Sequence, residues 1–184
     1  MSKKKFTTKK IVFSAVCIAL STVVSNFIKL PSLPFGGSTT LFGMLFATLP
    51  GYFFGPVVGI FAAVSHGIIQ FLSNPYAIHP LQVLLDYPLA FGALGLSGFF
   101  SQKKNGLRIG FSFGLFFRFV FSTLSGLVFF TEYTKGFSAN AAAVWASVAY
   151  NLSYLLPEYI LTMIVLLLPP VKNGMGYIKR IVNE

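Results

Sequence analysis

Successive apolar runs, nearly free of charge inside and broken at their ends by proline, glycine or lysine, constrain this chain more than any other feature. A helix that crosses a bilayer needs about 20 consecutive, mainly apolar residues. Runs of that order occupy 11–28, 56–73, 80–100, 108–131 and 141–168, and a shorter one occupies 41–54. Only 10% of the 184 residues are charged and 55% are hydrophobic, whereas soluble domains carry about 25% charged residues. Soluble fold classes are thereby excluded. The runs predict an all-α integral membrane protein, a six-transmembrane-helix bundle forming one domain over 1–184, with a basic N-terminus at 1–10 and a basic tail at 171–184 that begins after Pro169-Pro170.

The N-terminal lysines followed by an apolar run resemble the start of a signal peptide. The run lacks a small-residue cleavage signature, so a retained first helix is expected. The net charge of +10 would raise nucleic acid as a partner of a soluble protein. In a membrane protein it has another cause, because Lys and Arg collect on the cytoplasmic flanks of spans. With the N-terminus inside, the inner segments hold Lys3, Lys4, Lys5, Lys9, Lys10, Lys103, Lys104, Arg108, Lys172, Lys179 and Arg180, against Lys29 and Lys135 outside. Both termini are therefore expected to be cytoplasmic. The outer loops are then the longer ones, rich in Pro, Gly, Ser, Asn and aromatics, as suits the mouth of a pocket.

Ionisable residues inside spans face the bundle interior, a cavity or a partner. Four stand out: His66, Asp86, Arg118 and Glu158. Asp86 lies about 9 Å below the outer end of its helix, at 1.5 Å per residue, and suits a cation or protonated ring nitrogen. The alternative is a carboxylate satisfied by helix dipoles or tyrosines. Arg118 and Glu158 share a depth on consecutive helices, which predicts a structural ion pair. Aromatic and amide residues collect at the level of Asp86: Tyr76, Gln82, Tyr87, Phe129, Phe130, Tyr133, Trp145, Tyr150 and Asn151. Interfacial aromatic belts explain part of this, and a box of rings around a flat cationic heterocycle explains the rest. On the first helix, Ala15 and Ala19 form a small-xxx-small pair suited to close helix approach, either within the bundle or onto another membrane subunit.

Other chemistry is missing from the sequence. There is no Walker A loop, no HExxH, no metal-ligand spacing and no nucleophile–base pair. One cysteine, Cys17, supports neither a disulfide nor a thiolate site. Neither catalysis nor a bound metal is expected, and energy for transport would come from outside this chain.

The run from His79 to Phe99, with Asp86-Tyr87-Pro88-Leu89-Ala90-Phe91 at its centre, resembles the signature of the thiamine-specific substrate-binding subunits (S-components, ThiT/YuaJ family) of energy-coupling factor transporters. Gly36-Gly37-Ser38, Ser125-Gly126-Leu127-Val128-Phe129-Phe130 and the stretch Tyr150 to Glu158 extend the resemblance over nearly the whole chain. It implies a vitamin-capture subunit in a prokaryotic plasma membrane, without a cofactor of its own. It also implies as partners a membrane coupling subunit, docked through Ala15 and Ala19, and two cytoplasmic ATPases that use the ATP. The ligand carboxylate falls on Asp86, its neighbouring tyrosine on Tyr87, the loop tyrosine on Tyr76, the amide on Asn151 and the stacking ring on Phe130. Phe35, Gly36, Gly37, Ser38 and Thr39 form the expected lid.

The sequence departs from the family pattern at Ser122, where a histidine is expected, and at Ala146, where a tyrosine is expected. Tyr150, Trp145, Gln82 and Gly126 complete the candidate site. Sites built around hydrogen bonds discriminate strongly, so hydroxymethylpyrimidine and pyridoxine stand beside thiamine as candidate ligands. Two other readings differ in class: a self-contained channel or secondary transporter for a cationic solute, and an intramembrane enzyme using His66 and Glu158.

Overall fold

The computed structural model describes residues 6–30, 33, 37–76, 79–133 and 141–183, with side chains at 129–133, 141, 142 and 183 excepted. Seven helices make up these residues: α1 (Thr8–Phe27), α2 (Gly43–Phe54), α3 (Pro56–Ser73), α4 (Pro80–Phe100), α5 (Gly106–Tyr133), α6 (Ala141–Leu167) and α7 (Pro169–Asn183). The one extended pairing is an isolated bridge between Lys29 and Thr40. All-helical structure is what a chain in lipid requires, because each helix satisfies its own backbone.

Five helices, α1, α3, α4, α5 and α6, are long and apolar enough to cross a membrane. The remaining expected span, α2, is short: its 12 residues extend about 18 Å, against a hydrocarbon thickness of about 30 Å. Two backbone conformations limit it. Phe42 precedes α2 at φ 70°, and Gly55 follows it at φ 92°. Gly55 accepts that conformation without a Cβ penalty, and Pro56 opens α3 at the first-turn position where proline fits. The basic tail is itself helical. Pro169-Pro170 ends α6 but also starts α7, where Val171, Met175, Ile178 and Val182 recur at helical spacing and pack against the core.

Side by side, α2, α3 and α4 cross closely because glycines meet at their contacts. A Cβ on Gly95 would strike the backbone of Gly59 and Ile60, and one on Gly59 would strike Gly51. Small residues at such crossings bring backbones together, as they do between membrane helices generally. Ser97 strengthens the contact by donating to the Thr48 carbonyl at 2.9 Å. Around this crossing Met44, Leu45, Leu49, Phe53, Leu94, Phe111, Leu115 and Leu155 form the buried core.

α4 changes its winding along its length. It is α-helical over Pro80–Leu84, a π-turn over Leu85–Leu89, briefly α-helical over Ala90–Gly92 and a 3-10 helix over Ala93–Phe100. Its start is fixed by His79, whose Nδ1 accepts from the Leu81 amide at 3.1 Å. Pro88 lies inside the π-turn. Lacking an N–H, it cannot continue the α-helical ladder, and the wider turn lets the Ala90 amide reach the Leu85 carbonyl instead. Such turns re-aim the side chains they carry and are frequent at functional sites. Here those side chains include Asp86 and Tyr87.

Candidate functional site

A cavity of about 190 Å³ opens at the end of the bundle away from α7. The end of α1, the start of α2, the end of α3, the π-turn of α4, the second half of α5 and the middle of α6 all contribute to its wall. Asp86 enters from the π-turn, and its Oδ2 accepts from Ser125 Oγ of α5 at 2.6 Å. Gln82, one turn earlier, is a second side-chain partner. No lysine or arginine forms an ion pair with Asp86 among the described residues.

Arg118 faces the same space. Its guanidinium carbon lies over the Phe91 ring, 3.8 Å from the centroid, and the His66 ring stands nearly perpendicular to Phe91 with centroids 5.0 Å apart. Nε and Nη1 of Arg118 are buried without a hydrogen-bond partner. The expected Arg118–Glu158 ion pair is not formed. The Glu158 carboxylate instead accepts from the Thr40 amide at 3.1 Å, the Thr40 hydroxyl at 2.5 Å and the Met44 amide at 2.9 Å. Backbone amides at the start of a helix attract a carboxylate, and α2 begins at Gly43, so Glu158 is occupied where Arg118 would have needed it.

Glu158 is also the deepest of three rungs. Tyr150, Tyr154 and Glu158 recur at i, i+4 and i+8 on one face of α6. Tyr150 Oη accepts from the Gly37 amide at 2.7 Å, the Tyr154 carbonyl accepts from Thr39 Oγ1 at 3.2 Å, and Glu158 takes Thr40. Residues 37–40, the described part of the expected lid with Gly37 and Ser38 on the cavity wall, are thus tied to α6 in register. A Cβ on Gly37 would collide with the Tyr150 hydroxyl.

His66, 0% exposed, belongs to the frame of the site. Ser21 Oγ donates to the Gly43 carbonyl at 2.7 Å. It also bonds His66 Nε2 at 3.0 Å, a nitrogen that Gln70 Nε2 approaches at 3.4 Å, and His66 Nδ1 bonds the Thr22 hydroxyl at 3.3 Å. The imidazole joins α1 to α3 and to the start of α2.

Of the residues selected from the sequence, Tyr76, Gln82, Asp86, Tyr87, Ser122, Gly126, Tyr150 and Asn151 all line the cavity. Asn151 and Tyr87 are, like Tyr150, engaged in protein contacts. Asn151 Nδ2 donates to the Ser122 and Ser147 carbonyls, and its Oδ1 accepts from Tyr154 Oη at 2.6 Å. Tyr87 Oη accepts from the Tyr76 amide at 3.2 Å and donates to the Asn74 and Tyr76 carbonyls at 3.3 Å, holding the loop before α4. Trp145 is not brought to the cavity: it is 70% exposed and directed outward. Ala146 is exposed as well. Phe35, Gly36 and the side chain of Phe130 lie outside the described residues. Ala15 and Ala19 are on the exposed side of α1, so packing within the bundle does not account for them.

Sequence reasoning missed Ser25, Asn26, Thr40, Gln70, Phe91 and Tyr154, all on the cavity wall. For Tyr154 a signal was present in its four-residue spacing from both Tyr150 and Glu158. For the α1 and α3 residues no local signal distinguishes them from ordinary polar positions near a helix end.

Comparisons with known proteins show the family and the fold. The sequence pattern of the family described as thiamine transporter protein matches residues 11–177. Thiamine transporter ThiT of Bacillus subtilis (strain 168) is 31% identical over 172 residues, covering 85% of each chain. The solved structure of ThiT from Listeria monocytogenes superposes with a TM-score of 0.67 at 23% identity, covering 88% of this chain and 94% of that one, and shows the shared fold. The chain belongs to the thiamine transporter protein family, whose members are membrane transport proteins rather than enzymes.

Proposed function

We propose that this chain is the substrate-binding subunit of an energy-coupling factor transporter and captures thiamine in its cavity at the outer membrane face. The observation that carries the proposal is the cavity's polar inventory. A carboxylate, Asp86, bonded by Ser125 and Gln82, and a guanidinium, Arg118, with two unpartnered nitrogens, stand among aromatic rings. Thiamine has the complementary chemistry. Its amino group donates to the carboxylate, its ring nitrogens accept from a guanidinium, and its cationic ring is favoured beside a carboxylate and aromatic faces.

In this reading Asp86 holds the aminopyrimidine edge or the positive charge. Tyr76, Tyr87 and Tyr150 bound the ligand, and residues 37–40 close over it. Phe130 would supply the stacking ring. Asn151, with most of its amide engaged in joining α5 to α6, orients the wall more than the ligand. The orientation follows from charge: Lys9, Lys10, Lys103, Lys104, Arg108, Lys172, Lys179 and Arg180 belong to the end opposite the cavity, and basic residues favour the cytoplasmic side. Both termini are then cytoplasmic. ATP hydrolysis falls to partner ATPases through a membrane coupling subunit that docks on the exposed face of α1 at Ala15 and Ala19.

The test is calorimetric titration of the purified chain in detergent with thiamine, and in parallel with hydroxymethylpyrimidine and pyridoxine. Tight thiamine binding that weakens by roughly 10- to 150-fold in Asp86→Ala, the loss of a hydrogen bond to a charged group, is the expected result. Preference for another ring would move the substrate and keep the role. No binding of any of the three would reject the capture reading.

A further inference from the structure

The residues of α7 that face away from the core have no part in the cavity, yet their arrangement is ordered. Successive helical positions turn by about 100°. This puts Val171, Met175, Ile178 and Val182 in one sector, against the core. Lys172 and Lys179 fall on one flank of that sector, Tyr177 and Ile181 on the other, and Arg180 between the flanks on the side away from the core. Tyr177 is 65% and Ile181 45% exposed, and Lys172 and Arg180 are exposed too.

The position of α7 follows from its contacts. Lys179 donates to the Ser101 carbonyl after α4 and lies over the Tyr52 ring near the end of α2, 4.6 Å from the centroid. Lys9, at the start of α1, donates to the Ile181 carbonyl. α7 itself leaves the end of α6. A helix that meets the ends of α1, α2, α4 and α6 runs across the bundle end instead of prolonging α6. It therefore lies where the apolar spans give way to polar surroundings. The charged side chains described at that end, on α1, α5, α7 and the turn before α5, are all basic.

We propose that α7 is an interfacial helix whose outward face binds anionic phospholipid headgroups. Lys172 and Arg180 meet the phosphates, and Tyr177 and Ile181 enter the boundary between headgroups and acyl chains. Basic residues beside aromatic and aliphatic ones, on a helix parallel to the membrane plane, are the composition that anionic interfaces select. A partner protein on this face would have to match each of these separately placed cations with an acidic side chain. A lipid surface matches them everywhere. This inference does not depend on which vitamin the cavity holds.

The test uses the full chain with Tyr177→Trp and Trp145→Phe, so that the indole reports on α7 alone. It is reconstituted in phosphatidylcholine nanodiscs doped with headgroup-nitroxide lipid of either phosphatidylglycerol or phosphatidylcholine type. Stronger quenching by the anionic label is expected. The excess should fall roughly five-fold for each charge removed in Lys172→Gln and Arg180→Gln, and should shrink in high salt. Lys179 is left intact because it bonds Ser101, and unchanged melting of the variants shows that α7 remains folded. Equal quenching by the two labels would overturn the proposal. So would a preference that survives Lys172→Gln with Arg180→Gln. Loss of quenching only when a coupling subunit is co-reconstituted, with no prior anionic preference, would assign the face to protein contact and equally overturn it.

Discussion

At the crossing of α2, α3 and α4, backbones approach until a Cβ at Gly95 or Gly59 has nowhere to go. A few turns away, the cavity between α1, α4, α5 and α6 holds open space beside Asp86, Arg118 and Glu158. The two regions handle polar groups differently. At the crossing each buried hydroxyl is answered locally: Thr48 donates to the Met44 carbonyl at 2.8 Å and Ser97 to the Thr48 carbonyl. At the cavity, polar groups outnumber their partners. Glu158 is satisfied by three donors and Asp86 has Ser125 and Gln82, whereas Arg118 retains two buried nitrogens without a partner. Buried polar groups are normally paired, so a guanidinium with two unpartnered nitrogens on a cavity wall marks where a ligand supplies the remainder. Dry close packing on one side gives the rigid wall against which such a site can stay open.

The comparison can be broken most forcefully at its packed side. Gly95→Ala places a methyl group against the backbone of Gly59 and Ile60, which no rotamer change relieves. A destabilisation of about 3 kcal/mol, at the upper end of overpacking effects, is expected in thermal melting in detergent. A parental melting temperature would show that the crossing has slack. A smaller effect separates the two carboxylates. Glu158→Gln keeps the shape but turns an acceptor for three donors into an amide, and should lower stability by about 1–3 kcal/mol. Asp86→Asn should spare the melting temperature and weaken thiamine binding instead. If both variants lost binding with unchanged melting, Glu158 would belong to the ligand and not to the lid's anchor. The smallest effect is expected for Trp145→Phe. Its exposed position predicts changes within about 0.5 kcal/mol in both melting and ligand affinity, and a large affinity loss would mean that the ring swings into the cavity.

Much of this architecture was legible in the chain because the bilayer makes hydrophobic length informative. The runs read as 11–28, 56–73, 80–100, 108–131 and 141–168 correspond to α1, α3, α4, α5 and α6 within three residues at each end. Asp86 was legible as a cavity residue because a lone carboxylate in an apolar run needs an interior environment. The Arg118–Glu158 pair was misread for a related reason: equal depth on neighbouring helices is necessary for contact but does not specify which way each side chain faces. Trp145 was misread because interfacial and cavity aromatics have the same sequence signature. α7 escaped notice because two prolines mark an end and a beginning alike.

What the sequence by itself determined is where the chain must be helical in lipid, where charge is excluded, and which few ionisable residues require an interior. These follow from the free energy of transferring each residue into hydrocarbon, which depends on the residue and its position along the run. Only the tertiary structure decided which polar groups answer one another. The π-turn at Leu85–Leu89 aims Asp86 at Ser125, and the α6 stripe ties Glu158 to Thr40 and Met44, leaving Arg118 facing the cavity. Hydrogen bonds act over about 3 Å and in narrow directions. They therefore depend on helix rotation and crossing geometry, which a one-dimensional pattern of apolar and polar residues does not carry.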